Sequence, residues 1–314
     1  MLSRLCVLLL VASVFCKRTD ITVIGHRGHG CSGPSCISQI PENSIPAYLA
    51  GRAEGADRVE LDTWLTADNQ IIVVHGGAAT THGSLVGSVV NEAPGGVTPL
   101  VEQTNYENIT EYHVKMPWVV EKPAKGYETD SYRTPYQPYM HLPLFKDVLK
   151  AVCPTGAKIQ VEMKGNNPNL APALIALLQE MDLVDCVHGF SSFYWGTYNG
   201  PIQADLFKPI VGKSPVPLFL LFNLDTYQLP SADQVVEAVR AYNASGIHPC
   251  FDQFDEPNKT YIIQRAAQEG FAVMSWTPGH RADTPDEMRH LIDKGLKEIC
   301  TNNPGQLRRI LDAM

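Results

Sequence analysis

The chain has 314 residues, of which 44% are hydrophobic and 18% charged, with a formal net charge of −8. This composition is that of an ordinary globular protein with enough apolar residues for one large core or two small ones, and it excludes a largely disordered chain. The negative charge gives no support for nucleic-acid binding, and a basic pair such as Arg308 and Arg309 is interpreted as a solvated helix face.

The first 16 residues, MLSRLCVLLLVASVFC, have the pattern of a secretory signal peptide. Arg4 lies in a short basic region, an apolar run follows it, and small residues surround Ser13. A membrane anchor is the alternative, but the apolar run is shorter than the roughly 20 residues that span a bilayer. We therefore predict cleavage near Cys16, a single mature domain over 17–314, and location outside the cell or in the secretory-pathway lumen.

The cysteines and the glycosylation sequons agree with the predicted passage through the secretory pathway. Two of the eight cysteines fall in the predicted signal peptide, and the remaining even number favours disulfides in an oxidising compartment. The predicted pairs, in order of preference, are Cys31–Cys36, Cys153–Cys186 and, by elimination, Cys250–Cys300. Sequons that predict N-glycosylation occur at Asn108, Asn243 and Asn258.

From residue 22 onward, short β-branched runs alternate with helical patterns. The predicted strands are TVIGHRG, ADRVELDTWLT, AKIQVEMKG, CVHGFSS, PLFLLFN, IHPCFDQF, FAVMSWTP and EICTNNP, and IIVVHG is expected to pair with the second strand through a turn. Ser231 with Gln234, and Thr284 with Glu287, predict capped helix starts. Eight βα units predict a (β/α)8 TIM barrel, whose functional side chains lie at the carboxyl ends of the strands. An open doubly wound sheet is the alternative, but no G-x-G-x-x-G follows the first strand.

Residues 77–142 interrupt the alternation of strand and helix patterns, because they are rich in Gly, Pro, Thr and Tyr and have no sustained periodicity. A stretch of that length predicts a functional insertion that forms a lobe over one face of the barrel. Its PYQPYM segment and nearby tyrosines are interpreted as the small core of the lobe, with an apolar lid for a lipid as the alternative.

Three acids point to a cation site. Glu60 and Asp62 are two residues apart on a predicted strand, so both side chains lie on one face, and Glu162 ends the next core strand. Any one of these acids alone is better interpreted as a solvent-facing residue, but three near neighbouring strand ends would repel unless a cation lay between them. Oxygen ligands of this kind suit Mg²⁺ or Ca²⁺, and the sequence does not choose between the two ions.

Two histidines and two cationic residues lie at the same predicted edge. His26 and His75 each end a strand, and such a pair beside a metal site is typical of acid–base chemistry near neutral pH. Arg27 and Lys164 offer cationic groups that match a phosphate. Together these residues predict metal-assisted phosphodiester chemistry.

The order of motifs resembles the glycerophosphodiester phosphodiesterase family. HRG, PENS, GADRVELDTWLTADNQIIVVH, LPLFKDVLK, VEMK, VMSWT and ICTNNP follow one another as in that family, from about residue 22 to the end. The resemblance implies a TIM barrel, one divalent cation, and hydrolysis of glycerophosphodiesters to glycerol 3-phosphate and an alcohol. It also implies roles for individual residues: His26 and His75 as acid and base, Glu60, Asp62 and Glu162 as cation ligands, Arg27 and Lys164 at the phosphate, and Trp276 at the alcohol side.

Three positions depart from the family pattern. Gly76 follows His75 where the family has aspartate, Asn69 replaces the glycine of the T-x-D-G turn, and Asn302 replaces the aspartate of T-D-x-P. The H-G pair resembles the sphingomyelinase D-like phospholipases, which release a head group from lysophospholipids or sphingomyelin and leave a cyclic phosphate. A secreted binding protein without catalysis is a third hypothesis, although a pure binder has no need of a histidine pair.

The remaining expectations concern other histidines and partners. His29 lies in a Gly-rich loop and is predicted to be exposed, and surface positions are predicted for the histidines of the insertion, His82, His113 and His141. We expect a monomer that acts on a small-molecule or lysolipid phosphodiester, with peripheral membrane contact through the insertion.

Overall fold

The computed structural model describes residues 20–30, 40–76, 83–85, 99–110, 112, 141–196, 204–222, 231–254, 257–277 and 283–314. The predicted signal peptide, Cys31, Cys36, His82, His113, the PYQPYM segment and much of the 77–142 insertion lie outside these residues. The boundaries of the mature domain and of the insertion therefore stay predictions. No helix in the described part of the chain has both the length and the apolar character needed to cross a bilayer.

The described residues contain nine strands in one sheet. The strands are β1 (Thr22–Gly25), β2 (Arg58–Leu65), β3 (Ile71–Val73), β4 (Lys158–Met163), β5 (Val187–Ser192), β6 (Leu218–Phe222), β7 (Gly246–Pro249), β8 (Ala272–Trp276) and β9 (Glu298–Thr301). All except β3 pair in parallel, and β1 pairs with both β2 and β9, which closes the sheet. The predicted eight-stranded parallel barrel is confirmed as a (β/α)8 fold.

The extra strand β3 forms the expected antiparallel hairpin with β2. Thr66 Oγ1 accepts from the backbone N–H of Gln70 (2.8 Å) and donates to Asp68 Oδ1 (2.5 Å). Asn69 has φ +60°, a left-handed conformation that asparagine adopts more readily than other non-glycine residues. The departure from the family's glycine therefore leaves the turn intact.

Helices pack around the barrel. In the described residues they are α1 (Ile45–Ala53), α2 (Phe145–Val152), α3 (Leu170–Glu180), α4 (Ala232–Ala241), α5 (Pro257–Gln268), α6 (Pro285–Asp293) and α7 (Pro304–Ala313). Both predicted capping boxes are present, at Ser231 with Gln234 and at Thr284 with Glu287. Aliphatic side chains of alternate strand positions fill the layer between sheet and helices, which is the main core.

Cys153 and Cys186 form the disulfide that was the second choice from the sequence. The prediction for Cys250 and Cys300 was wrong: both are buried, and no bond joins them. Trp276 pairs with both residues, so β8 lies between them. Two strand spacings of about 4.8 Å each exceed the Cα separation of roughly 4.4–6.8 Å that a disulfide requires.

Three stacked rings lie on the neighbouring strands β5, β6 and β7, with Phe219 between two histidines. The ring of His248 lies 4.5 Å from that of Phe219, and His188 lies 5.4 Å from it on the other side. Burial, with smaller effects from His188 and Arg58, holds the pKa of His248 well below its usual range. Burial likewise lowers the pKa of His188 to about 4. Both imidazoles are therefore neutral in the folded protein near neutral pH.

We expect these stacked rings to make the fold sensitive to acid. The unfolded chain takes up a proton at His248 below about pH 6.5, whereas the folded protein does not, so stability falls as the pH decreases from 7 to 5. His248→Phe keeps the stacking and removes the titration, so its loss of unfolding free energy over this range should be smaller by about 2 kcal/mol. Urea unfolding at several pH values measures both slopes; parallel slopes would contradict the expectation.

Candidate active site

The predicted acids meet at the carboxyl ends of neighbouring strands. Glu60 and Asp62 alternate with apolar residues of β2 and face the inside of the barrel, and the parallel register of β2 and β4 places Asp62 beside Glu162. One oxygen from each of the three carboxylates lies within 4.8 Å of the others. Sequence spacing and strand register together produce this cluster.

The other predicted groups line the same small cavity, of about 110 Å³, at the mouth of the barrel. Asp62 lies beneath them, buried and in contact with Lys164. The cavity is lined by His26, Arg27, Glu60, His75, Glu162, Lys164, Ser191, Phe193, Leu221, Met274, Trp276 and Cys300. The structure thus brings together every residue for which the sequence predicted a catalytic, cation-binding or substrate role.

Burial controls the protonation of the three acids. Burial, reinforced by the neighbouring Asp62 and Glu162, raises the pKa of Glu60 well above its usual range. Burial also raises the pKa of Glu162, to about 7, against the opposing effect of Lys164. For Asp62 the effect of burial is outweighed by Lys164, His75 and Arg27, so its pKa is lowered. Asp62 is therefore the acid that stays ionised most firmly.

The charges of the site fit a divalent cation. A fourth buried carboxylate, Glu42, lies beside the cluster and pairs with Arg27. Arg27 also contacts Asp62, and Lys164 contacts both Asp62 and Glu162. When all four carboxylates are ionised, the two cations leave a net charge of −2. An all-oxygen set of Glu60, Asp62 and Glu162 suits the hard ions Mg²⁺ and Ca²⁺.

Arg27 is held in place by carboxylates on two sides. Its guanidinium Nη1 donates to both oxygens of Glu42, at 2.8 and 3.0 Å, and its Nε lies 3.4 Å from Asp62 Oδ2. Its backbone N–H donates to Glu60 Oε2 (2.8 Å), with φ at +50°. The left-handed backbone turns the chain so that both the amide and the side chain of Arg27 face the acids.

His26 is oriented from the far end of the chain. Its Nδ1 lies 2.8 Å from Asn302 Oδ1, and its Nε2 lies 4.0 Å from Glu60 Oε2. With the amide oxygen assigned to that contact, Nδ1 carries the proton and Nε2 is left as the basic nitrogen. Burial, with a further contribution from Arg27, lowers the pKa of His26 to about 3. His26 is therefore a neutral imidazole at physiological pH.

His75 follows β3 and is also neutral, since burial and then Arg27 and Lys164 lower its pKa well below the usual range. Gly76 has φ +74°, and a Cβ there would lie 3.1 Å from the carbonyl oxygen of Ser84 and 3.4 Å from the Trp64 ring. An aspartate at this position would therefore need a local shift of the chain. The departure from the family's H-D has a structural basis in this tight turn.

Trp276 forms an apolar wall of the cavity. Its Nε1 donates to the carbonyl of His248 (3.0 Å), and its ring meets Phe193 edge to face, with centroids 5.7 Å apart. Because the indole N–H is bonded to the backbone, the side chain presents its aromatic surface to the cavity. This placement is compatible with the alcohol-side position implied by the resemblance.

The sequence predicted no role for the individual residues of the PENS motif. Glu42 binds Arg27, and Asn43 donates from Nδ2 to Asp62 Oδ2 (2.8 Å). Asn302 was predicted only as a departure from the family pattern, but this residue contacts His26 across a separation of 276 residues. Asp283 was missed entirely; it accepts from the backbone N–H of Asn302 (2.6 Å), and no local motif marks it.

The prediction that His29 is exposed was wrong. Its side chain is 9% exposed, and its Nε2 lies 2.9 Å from Glu54 Oε2. The Gly-rich loop packs closely against α1, and the imidazole contacts the residue that caps the end of that helix. His141 is partly buried, and the sequon residues Asn108 and Asn243 are exposed, whereas the Asn258 side chain lies outside the described residues.

Comparisons with known proteins agree with the barrel fold. An uncharacterized protein of Bacillus subtilis (strain 168), YqiK, is 22% identical over 294 residues, which cover 92% of this chain and 98% of that protein. A glycerophosphodiester phosphodiesterase from Parabacteroides distasonis has the same fold, with a TM-score of 0.64, 18% identity, and coverage of 94% of this chain and 98% of that one. A phosphodiesterase from Oleispira antarctica, solved in complex with the product sn-glycerol-3-phosphate, has a TM-score of 0.62 and 17% identity, with 93% and 96% of the two chains covered.

The family itself follows from a match along most of the chain. The model of the glycerophosphoryl diester phosphodiesterase family matches residues 26–306, from the first histidine of the site to the start of α7. All the acids, histidines and cationic residues of the cavity fall within that span. The chain is therefore a phosphodiesterase that belongs to the glycerophosphoryl diester phosphodiesterase family.

Proposed function

We propose that the protein hydrolyses glycerophosphodiesters to glycerol 3-phosphate and an alcohol, with one divalent cation, Mg²⁺ or Ca²⁺, held by Glu60, Asp62 and Glu162. The observation that carries this proposal is the convergence of three carboxylates, two neutral histidines and two cationic side chains on one cavity. Sn-glycerol-3-phosphate in the Oleispira antarctica structure supports the choice of substrate class.

His26 acts as the first base in this proposal. Its Nε2 takes the proton from a substrate hydroxyl next to the phosphate, that oxygen bonds to phosphorus, and the bond from phosphorus to the alcohol oxygen breaks. An anionic phosphodiester beside His75 raises its pKa, so that the imidazole takes up a proton from solvent when substrate binds. The leaving oxygen then takes this proton from His75, which regains it from water in the second step. Water then opens the cyclic phosphate with the two histidines in reversed roles. Over the two steps, one water molecule is consumed and one phosphoester bond to the alcohol is broken.

Cationic groups stabilise the charge that develops on phosphorus. Lys164 Nζ lies 2.5 Å from Glu162 Oε1 and 3.1 Å from Asp62 Oδ1, so it lies beside the carboxylates at the edge of the cavity. We assign Lys164 and Arg27 to the phosphate oxygens. The divalent cation, when bound, supplies Lewis-acid neutralisation of the phosphate charge. Trp276 then lines the alcohol side, where its ring excludes water.

Gly76 favours a second candidate function, that of a sphingomyelinase D-like phospholipase. A glycine after His75, in a turn with little room for a side chain, is the feature shared with sphingomyelinase D-like enzymes, which produce a cyclic phosphate from lysophospholipids or sphingomyelin. In such an enzyme the second step, attack by water, would be slow. Against this stand HRG and PENS, whose residues build the Arg27–Glu42 pair of the cavity.

We further propose that the protein is secreted or lumenal, glycosylated and monomeric, with peripheral membrane contact through the insertion. The Cys153–Cys186 disulfide and the exposed sequon residues Asn108 and Asn243 support the oxidising route.

A substrate panel tests the activity and separates the three hypotheses. Purified protein is incubated with glycerophosphocholine, glycerophosphoinositol, lysophosphatidylcholine or sphingomyelin, with Mg²⁺, Ca²⁺ or a chelator, and products are followed by phosphorus NMR. We expect glycerol 3-phosphate from a glycerophosphodiester, and no turnover with chelator. A persistent cyclic phosphate from a lipid would establish the sphingomyelinase D-like candidate instead, and no turnover of any substrate would leave a binding protein.

The two histidines should each be required. We expect His26→Ala and His75→Ala to lower kcat by about 10²–10⁴-fold, since each removes a proton-transfer group. Their cation affinity, measured by calorimetry, should stay close to that of the wild type. Unchanged turnover in either variant would refute the role of that residue.

Asn302→Asp should move the acidic limb of the pH–rate profile. A carboxylate beside Nδ1 stabilises the imidazolium and raises the pKa of His26 from its value of about 3, by roughly 1–3 units. Because the base must be unprotonated, the acidic limb of kcat/KM should shift to higher pH. Asn303→Asp is the matched control, since the Asn303 side chain caps α7. A limb that moves equally in both variants, or in neither, would contradict the assignment of His26.

A further inference from the structure

Asn43 lies next to the acid cluster but lines no part of the cavity. It is fully buried, has φ +55°, and its backbone N–H donates to the carbonyl of Arg27 (3.0 Å). Asparagine is one of the few residues that adopt this left-handed conformation readily. The backbone therefore directs the Asn43 amide at β2 rather than at solvent.

The orientation of the Asn43 amide is fixed by the groups around it. The backbone N–H of Asp62 can only donate, and it lies 3.3 Å from Asn43 Oδ1. The Asp62 carboxylate accepts, and its Oδ2 lies 2.8 Å from Asn43 Nδ2. Only one assignment of the amide satisfies both contacts. Asn43 thus forms two hydrogen bonds with Asp62, one to its backbone N–H and one to a carboxylate oxygen.

Tyr48 holds the amide from the other side. Its ring is fully buried in α1, and its hydroxyl donates to Asn43 Oδ1 (2.9 Å). Burial, with smaller contributions from Glu60 and Asp62, raises the pKa of Tyr48 well above its usual range, so the hydroxyl keeps its proton. Ser44 caps the start of α1, which fixes the helix relative to Asn43.

The two oxygens of Asp62 have different surroundings. Oδ2 accepts from Asn43 and lies 3.4 Å from Arg27 Nε, whereas Oδ1 lies 3.1 Å from Lys164 Nζ, which also contacts Glu162. We propose that Asn43, oriented by Tyr48, is a positioning residue that binds Asp62 Oδ2 and so presents Oδ1 to the divalent cation. This inference rests on the cation site proposed above.

Cation titration of variants tests the inference. Mg²⁺ and Ca²⁺ binding is measured by calorimetry on the whole protein, for the wild type, Asn43→Gly, Tyr48→Phe and the double variant. Glycine keeps the left-handed backbone, so Asn43→Gly removes the amide with little backbone strain. We expect it to weaken cation binding by about 10–100-fold, as loss of groups that orient a ligand does. Tyr48→Phe should weaken binding by about 2–10-fold, the effect of one hydrogen bond.

The double variant distinguishes positioning from general damage. Because Tyr48 acts through Asn43, Tyr48→Phe should cost nothing more once Asn43 is glycine. In Tyr48→Phe, activity lost at low cation concentration should return at saturating cation. Additive losses in the double variant, or wild-type affinity in Asn43→Gly, would overturn the inference.

Two reference variants complete the experiment. Tyr242→Phe removes a partly buried hydroxyl that donates to Asp205, a carboxylate outside the acid cluster, and should leave cation affinity unchanged. A loss there equal to that of Tyr48→Phe would also overturn the inference. Glu60→Gln removes a proposed ligand and should weaken binding strongly. If the wild-type protein binds no cation, both the proposed function and this inference fail. If the wild type binds a cation and Asn43→Gly binds it equally well, only this inference fails.

Discussion

The structure of the site depends on one electrostatic constraint, the burial of several carboxylates within a few ångströms of one another. Like charges at such distances, in a region with little water, raise the free energy of the ionised state by several kcal/mol. Arg27 and Lys164 offset part of this repulsion. Burial first, and then the neighbouring carboxylates, still raise the pKa values of Glu60 and Glu162. The site is therefore built to gain a positive charge, either a proton or a cation.

The loop after β1 and the PENS motif serve this constraint directly. Arg27 and Asn43 both have left-handed backbone conformations, and their side chains meet Asp62 from two directions. Glu42 balances the guanidinium, so that Arg27 is fixed before any substrate arrives. A rigid frame of this kind reduces the reorganisation needed when charge develops on a bound phosphate.

Much of the fold and of the cavity was predictable from the sequence. The alternation of β-branched runs and helices gave eight strands and the hairpin, and a spacing of two residues put Glu60 and Asp62 on one face. What failed depends on three-dimensional packing. His29 is buried and contacts Glu54 at the end of α1, and β8 separates Cys250 from Cys300. The contact of Asn302 with His26 and the orientation of Asn43 depend on barrel closure and a left-handed turn, which no local periodicity encodes.

The claim that the buried carboxylates form a divalent cation site can be tested by diffraction. Crystals soaked in Mn²⁺, which prefers the same oxygen ligands as Mg²⁺, would be measured at a wavelength that reveals manganese by its anomalous signal. The account predicts one strong peak between Glu60, Asp62 and Glu162, which is lost in Glu60→Gln crystals. No peak at that position, in a protein that still turns over substrate with chelator present, would contradict it.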